Sequence, residues 1–257
     1  MKLGDFTNLA KDYVNRTGYS ERVLTVLRDY ISGQQGGICA VADVGAGTGK
    51  LTENLEAIGL HGYAVEPNDA MRAEGVKLFA GRDTFVWSKG TAEVTGLPDN
   101  SVDWLLMGSS FHWADAPVAL EEFHRVLRPG GSFTAIWNPR NLESSEFHMD
   151  IERGIQEIVP ELNRVSSGSR KNMSGTEQKL LSTPYFSDLF LMEAPHEAQM
   201  SHERYLGAWR SVNDIQAQAG EERFQKILDM IEEKTKGMDE IVVPYLSRAF
   251  TVHSTKK

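Results

Sequence analysis

Apolar and polar positions alternate along this chain with two periods, and the periods exchange places several times. Val23, Leu24, Leu27 and Ile31 make a helical stripe. A helix is expected over 6–31, with Ser20 able to cap a turn and the glycine-bearing stretch 32–37 ending it. Residues 38–44 (ICAVADV) then read as a strand. Leu51, Leu55 and Ile58 return to helical spacing and stop at Gly59, and 62–65 reads as a second strand. Asn68 caps a helix carrying Met71, Leu78 and Phe79. Strands follow at 85–87 and 102–107, the latter apolar enough to be buried on both faces. Asp115 caps a helix through Leu127, with Leu120 and Phe123 inward. Pro129-Gly130-Gly131 then turns the chain into a strand at 132–137.

Strands separated by helices at this spacing form a parallel sheet with right-handed crossovers, so the fold expected is α/β and doubly wound. Beyond 140 the pattern loosens. Helices are expected over 143–162 and 201–236, a polar loop over 163–176, and strands at 189–194 and 248–254. The order of elements suggests one domain over 1–257. Its core would be 38–140 and 181–257, with 1–31, 141–180 and 201–240 as cap segments over the sheet's functional edge.

Composition narrows the partners. The 257 residues suffice to bury a core without a disulfide or metal staple. The net charge of -9 repels phosphate backbones and anionic membranes, so no nucleic-acid and no membrane partner is expected. Cys39 is the single cysteine, and His148, His196 and His202 lack metal-ligand spacing, so no metal is expected. No window approaches the ~18 apolar residues of a membrane span, and a cytoplasmic protein, monomer or homodimer, is expected.

The candidate chemistry begins at Asp43-Val44-Gly45-Ala46-Gly47-Thr48-Gly49-Lys50, between the first strand and the next helix. Glycines there admit positive φ and let a ligand approach the backbone, and free N–H groups at the helix start favour an electronegative ligand group. A phosphate-binding P-loop fails twice, because Val44 stands at its first glycine and Leu51 at its Ser/Thr. A dinucleotide loop needs G-x-G-x-x-G, whereas the glycines here fall at 45, 47 and 49. S-adenosylmethionine is the third candidate. Glu66 ends the second strand about 20 residues further on, where an acid meets a ribose's hydroxyls, and this fits both nucleotide readings.

Further runs occur in order: Ala64-Val65-Glu66-Pro67-Asn68 with Met71, Gly90-Thr91-Ala92-Glu93, Leu97-Pro98, Ser101-Val102-Asp103, Phe111-His112-Trp113, and Arg125 to Gly131 (RVLRPGG). With these the chain resembles the class I S-adenosylmethionine-dependent methyltransferases, in the small-molecule branch that includes trans-aconitate methyltransferase. The resemblance spans 38–139, with a weaker echo at 6–31. It implies a Rossmann-like sheet, mostly parallel with its last strand antiparallel, and helical cap insertions. It also implies S-adenosyl-L-methionine as cofactor and S-adenosyl-L-homocysteine as product. Asp43, Gly45, Ala46, Gly47, Thr48 and Gly49 would line the methionine moiety, and Glu66 the ribose, with Pro67 and Met71 beside it. Ala92 and Glu93 would face the adenine, and Gly108 and Ser109 the sulfonium. Tyr13 and Arg16 match an N-terminal segment that closes over cofactor and substrate. Two departures bear on the acceptor: Arg16 is followed by Thr17-Gly18-Tyr19-Ser20 where the branch often has Pro-x-Tyr-Pro, and Ser109 stands where a glutamine is common.

Methyl transfer from a sulfonium is an in-line displacement, so alignment and exclusion of water are the main demands. His112 is the candidate base or acceptor contact, against a histidine simply packed beside Trp113. Trp137 and Asn138 are candidate walls of the acceptor pocket. Tyr205, Trp209 and Arg210 are candidates for the inner face of the cap, and Arg164, Arg170 and Lys171 could attract an anionic acceptor. The expected function is methyl transfer to an O or N atom of a small molecule, with a carboxylate possible. A nicotinamide oxidoreductase and a non-catalytic cofactor-binding protein are the rivals.

Overall fold

The computed structural model describes residues 6–164 and 173–257. Its strands are β1 (Val41–Val44), β2 (Gly62–Val65), β3 (Phe85–Ser88), β4 (Val102–Gly108), β5 (Leu127–Trp137), β6 (Phe186–Ser201) and β7 (Glu240–Ser254). They lie in one sheet in the order β3-β2-β1-β4-β5-β7-β6. The first five are parallel, and β7 runs antiparallel to both β5 and β6. This is the doubly wound sheet with an antiparallel closing strand that the sequence leads one to expect.

The strand period of two splits the core across the sheet. Ala42, Val44, Leu105, Met107, Phe133 and Ala135 face one layer, where α5 (Ala116–Val126) packs Leu120 and Phe123 onto them. Val41, Trp104, Leu106 and Ile136 face the other, against α2 (Glu21–Gln35) and α3 (Lys50–Ala57). The buried indole of Trp104 donates to Thr134, which shares a hydrogen bond with Thr251, so the polar atoms of these three side chains are satisfied. A third apolar cluster is separate. Ile151 and Ile155 of α6 (Glu146–Ile158), Tyr205 and Trp209 of a helix at His202–Arg210, and Ile227 and Ile231 of a helix at Asn213–Lys234 pack on Val243 and Tyr245 of β7.

The cap stands on a ribbon longer than the sequence pattern suggests. β6 and β7 pair from Phe186↔Ser254 to Ser201↔Glu240, whereas β5 reaches only from His253 to Arg248 along β7. The outer half of the ribbon therefore runs past the carboxyl end of β5. The expected strands at 189–194 and 248–254 are the inner parts of these two. Along the outer half of β6 the exposed Glu197, Gln199 and Ser201 are polar and Pro195 interrupts the run, as an edge strand permits, so hydropathy alone marks a short segment.

Other boundaries move because tertiary partners replace local ones. The expected helix over 6–31 is α1 (Ala10–Tyr13) after one 3-10 turn, then an irregular passage, then α2. In that passage the Tyr19 amide donates to Asn54 Oδ1 and the Ser20 amide to Ser247 Oγ, and Ser20 is the extended N-cap of α2. β1 begins at Val41 rather than 38 because the Cys39 and Ala40 amides go to the Asp103 carboxylate at 2.7 and 3.0 Å. The helix expected over 201–236 divides after Arg210 and kinks at Gly220, whose φ is 75°.

Candidate functional site

In a sheet of this order the carboxyl ends of β1 and β4 diverge, because their following helices cross to opposite faces. A cavity of about 890 Å³ opens there, toward the upper end of the range for small-molecule sites (~300–1,000 Å³). Its floor comes from the ends of β1, β2 and β4. Its roof comes from residues 6–19, the loop after β5 and the cap.

The floor holds two acids. Asp43, next to last in β1, is fully buried, and its Oδ2 accepts the Thr52 hydroxyl at 2.6 Å. Its Oδ1 is buried and makes no hydrogen bond among the described residues. Burial pushes the Asp43 carboxyl up to about 7; the Thr52 hydrogen bond opposes this and the Glu66 charge adds to it. Glu66 follows β2, with Oε2 accepting the Gly47 amide and Oε1 the Asn68 amide, both at 2.8 Å. Burial raises its carboxyl as well, against those two amides and Arg72. Between the acids, the amides of Gly45 and Ala46 both donate to the Val65 carbonyl, which folds the glycine turn back onto β2. Gly45 has φ 72°, and a Cβ there would lie 2.8 Å from Ser110 Oγ, so the turn tolerates no side chain.

Gly45, Ala46 and Gly47 line the cavity with Pro67, Met71, Ala92, Glu93, Gly108 and Ser109. Thr48 and Gly49 do not. Thr48 is fully buried, and Gly49 packs against Phe79 and Trp87 as the N-cap of α3, so both support the turn from beneath. Tyr13 and Arg16 line the roof. Arg16 lies 4.3 Å over the Tyr13 ring and gives Nε and Nη2 to the Ser211 hydroxyl and carbonyl, both at 2.8 Å. This pins the N-terminal segment to the cap.

Several acceptor candidates are corrected. His112 sits in the 3-10 turn Phe111–Trp113 and is not on the cavity wall; only Trp113 of that pair is. Both His112 ring nitrogens are buried without partners among the described residues, and burial, helped by Lys179, lowers the imidazole to about 4. Trp137 is core, edge-on to Phe250. Trp209 is buried under the Arg140 guanidinium, and Arg210 is exposed away from the cavity. Asn138 lines the cavity with its amide already engaged: Nδ2 donates to the Gly18 carbonyl, and Oδ1 accepts from Ser247 and faces His196 Nε2. Arg164 lines it too, but is held by Glu152 and Asp214. Arg170 and Lys171 lie outside the described residues.

Sequence reasoning missed Tyr19, Arg140 and Tyr245. The Tyr19 hydroxyl donates to Ser109 Oγ at 3.0 Å, and burial raises the phenol, keeping it a donor. Ser109 has φ 54°, a left-handed conformation that a non-glycine residue rarely adopts outside turns and sites. Tyr245 reaches the cavity only because the ribbon outruns β5, which no local pattern records. Among the described residues no group of three or more potential metal ligands occurs, and no helix is long and apolar enough to cross a membrane.

His112 and His148 both have imidazoles lowered to about 4, against about 6.5 in an unfolded chain. Between those values the unfolded chain binds more protons, so this stability is present above about 6.5 and is lost as pH falls toward 4. The change in urea midpoint from pH 7 to pH 5 is expected to be less unfavourable in His112→Gln than in the parent. An identical change in that variant would remove His112 from the effect.

Residues 42–135 match the sequence model of the family described as "Methyltransferase domain". An uncharacterized methyltransferase of Mycobacterium tuberculosis is 46% identical over 101 residues, 39% of this chain and 40% of that protein. An uncharacterized methyltransferase of Schizosaccharomyces pombe is 33% identical over 141 residues, 52% of each chain. The chain thus aligns with two-fifths to one-half of these relatives' lengths. Among solved structures, a putative type II methyltransferase from Anaeromyxobacter dehalogenans matches with a TM-score of 0.61 at 18% identity, over 94% of this chain and 97% of that one. A putative S-adenosyl-L-methionine-dependent methyltransferase from Methanococcus maripaludis matches with a TM-score of 0.54 at 21% identity, over 75% and 90%. At these identities the structures establish a shared Rossmann-like fold.

Proposed function

We propose, from the match of residues 42–135 to the methyltransferase-domain model, that the protein transfers a methyl group from S-adenosylmethionine to an O or N atom of a small molecule. The observation that carries this reading is the pair of buried acids, Asp43 and Glu66, flanking a glycine turn at the point where the sheet order reverses. A buried carboxylate oxygen without a partner suits a cationic ammonium, which Asp43 Oδ1 would receive. Glu66, with one amide on each oxygen, keeps lone pairs for two ribose hydroxyls. Met71 and Ala92 would flank the adenine, and Gly108 would let the sulfonium approach β4.

When bound, the cofactor supplies an electrophilic methyl group. The chain's own residues orient the acceptor and exclude water: the Tyr13–Arg16 segment closes the roof, and the Tyr19–Ser109 hydrogen bond fixes the wall beside Gly108. His112 is buried off the cavity, so proximity and orientation carry the reaction. A carboxylate acceptor is compatible with this, because it needs no base.

Calorimetric titration with S-adenosylmethionine, S-adenosylhomocysteine, NADH and NADPH tests the reading. Saturable binding of the first two alone is expected, and binding of a nicotinamide alone would overturn it. Release of S-adenosylhomocysteine with an acceptor panel separates an enzyme from a protein that only holds the cofactor.

The raised Asp43 carboxyl gives a linked prediction. With its proton held up to about pH 7, the folded free protein binds more protons than the unfolded chain from about 4 to 7. This contribution to stability is full below about 4 and is lost as pH rises through 7. An ammonium at Oδ1 favours the ionised form, so cofactor binding is expected to release a proton near pH 6.5. The observed heat should then depend on the buffer's ionisation enthalpy. Asp43→Asn should abolish that dependence, and an unchanged dependence would locate the proton elsewhere.

A further inference from the structure

Three arginines line the cavity, and they differ in what their donors do. Arg164 gives Nη1 to both Glu152 oxygens and Nε to Asp214. Arg16 gives Nε and Nη2 to Ser211. Arg140 makes no hydrogen bond and no ion pair among the described residues, although its guanidinium is firmly placed, 3.9 Å over the ring of Trp209. Its backbone is also fixed. Arg140 bridges to Tyr245 of β7, the Leu246 amide donates to the Pro139 carbonyl, and the Asn141 amide donates to the Pro244 carbonyl. An indole face satisfies a guanidinium's flat side and uses none of its five N–H donors. The side chain is thus preorganised, half-buried and charged, with its hydrogen-bonding edge unspent in a cavity.

We infer that Arg140 anchors an anionic group of the acceptor, a carboxylate or a phosphoryl group, and that this group is distinct from the atom that receives the methyl. The inference rests on the methyltransferase reading for the identity of the occupant. Its chemistry is that of the guanidinium fork, which matches two oxygens of a carboxylate or phosphate at once. Such a clamp occupies the lone pairs of the oxygens it holds and makes them poorer nucleophiles. The clamped group therefore orients the molecule, and another atom of it meets the methyl. The neighbouring polar groups leave this task to Arg140. The Asn138 amide is engaged by Gly18, Ser247 and His196, and the carboxylates of Glu152 and Asp214 are both held on Arg164. The sequence gives no sign of the arrangement, because Arg140 follows β5 in an irregular loop and Trp209 comes from the cap.

Binding of simple anions to the full chain tests this without any turnover. The Nε–Hε resonance of Arg140, assigned by its loss in Arg140→Gln, is followed while succinate and, separately, inorganic phosphate are added to about 50 mM. A saturable shift with one of them is expected, and whichever binds more tightly identifies carboxylate or phosphoryl as the anchor. Arg140→Gln should weaken that anion by about tenfold or more, read from the ligand's own signals. Arg140→Lys, which keeps the charge without the fork, should fall between. Exposed Arg22→Gln should match the parent. A resonance unmoved by both anions, or equal binding by Arg140→Gln, would overturn the inference. S-adenosylhomocysteine affinity of the parent is measured in parallel and is expected to persist in Arg140→Gln. Its absence in the parent would sink the methyltransferase reading while the anion titration still decides whether Arg140 binds anions.

Discussion

Glu66→Ala is expected to lower S-adenosylhomocysteine affinity by about 100-fold, the loss of two hydrogen bonds to a charged acceptor at ~1.5 kcal/mol each. The carboxylate also organises the turn, since it holds the Gly47 amide on one oxygen and the Asn68 amide on the other. The variant should therefore melt at a lower temperature even without ligand, because two amides lose their acceptor. Glu66→Gln separates the two roles. Its remaining carbonyl oxygen can keep one amide, so stability should recover more than affinity. Titration calorimetry and thermal melting of the three proteins provide the check. Affinity retained in Glu66→Ala would remove the ribose contact from the proposed function.

Gly62→Ala is expected to cost roughly 3 kcal/mol and to lower Tm by about 6–12 °C for a chain of this size. Gly62 opens β2 with φ 153°, directly opposite Val41 in the parallel register. A Cβ there would lie 2.0 Å from the Val41 carbonyl oxygen, a backbone atom that can move only if β1 and β2 separate. Those strands carry Asp43 and Glu66 at or just past their far ends, so separation also disturbs the site, and cofactor affinity should fall with stability. Gly59→Ala is the control. Its φ is 82° and nothing lies within 4 Å of the added carbon, so it should lose only the backbone preference, about 1–2 kcal/mol. Equal melting temperatures for the two variants would show that the β1–β2 contact is not what demands glycine at 62.

The sequence by itself determined the half of the molecule whose structure is local. Alternating periods, the caps at Asn68 and Ser20, and the glycine turn after a buried strand each depend on neighbours a few residues apart. They located the parallel strands, the turn and the two acids. Glu66 needs no long-range contact to be noticed, because it stands where its strand ends, and Asp43 is drawn in by the resemblance carried on the adjoining turn.

What only the tertiary structure decided depends on residues brought together from far along the chain. His112 follows β4 and Trp137 ends β5, positions that a linear reading assigns to the pocket, yet one is packed off the wall and the other faces Phe250. Which way a side chain turns after a strand depends on the layer laid over it, and that layer comes from residues 176–250. Arg140, Trp209 and Tyr245 meet because β6 and β7 continue beyond β5 and lift the cap over its end. Their alternating polar faces suit a half-exposed ribbon, whose length is set by strand pairing rather than by hydropathy. The glycine turn and its two acids are therefore a property of short segments, and the roof of the cavity is a property of the assembled fold.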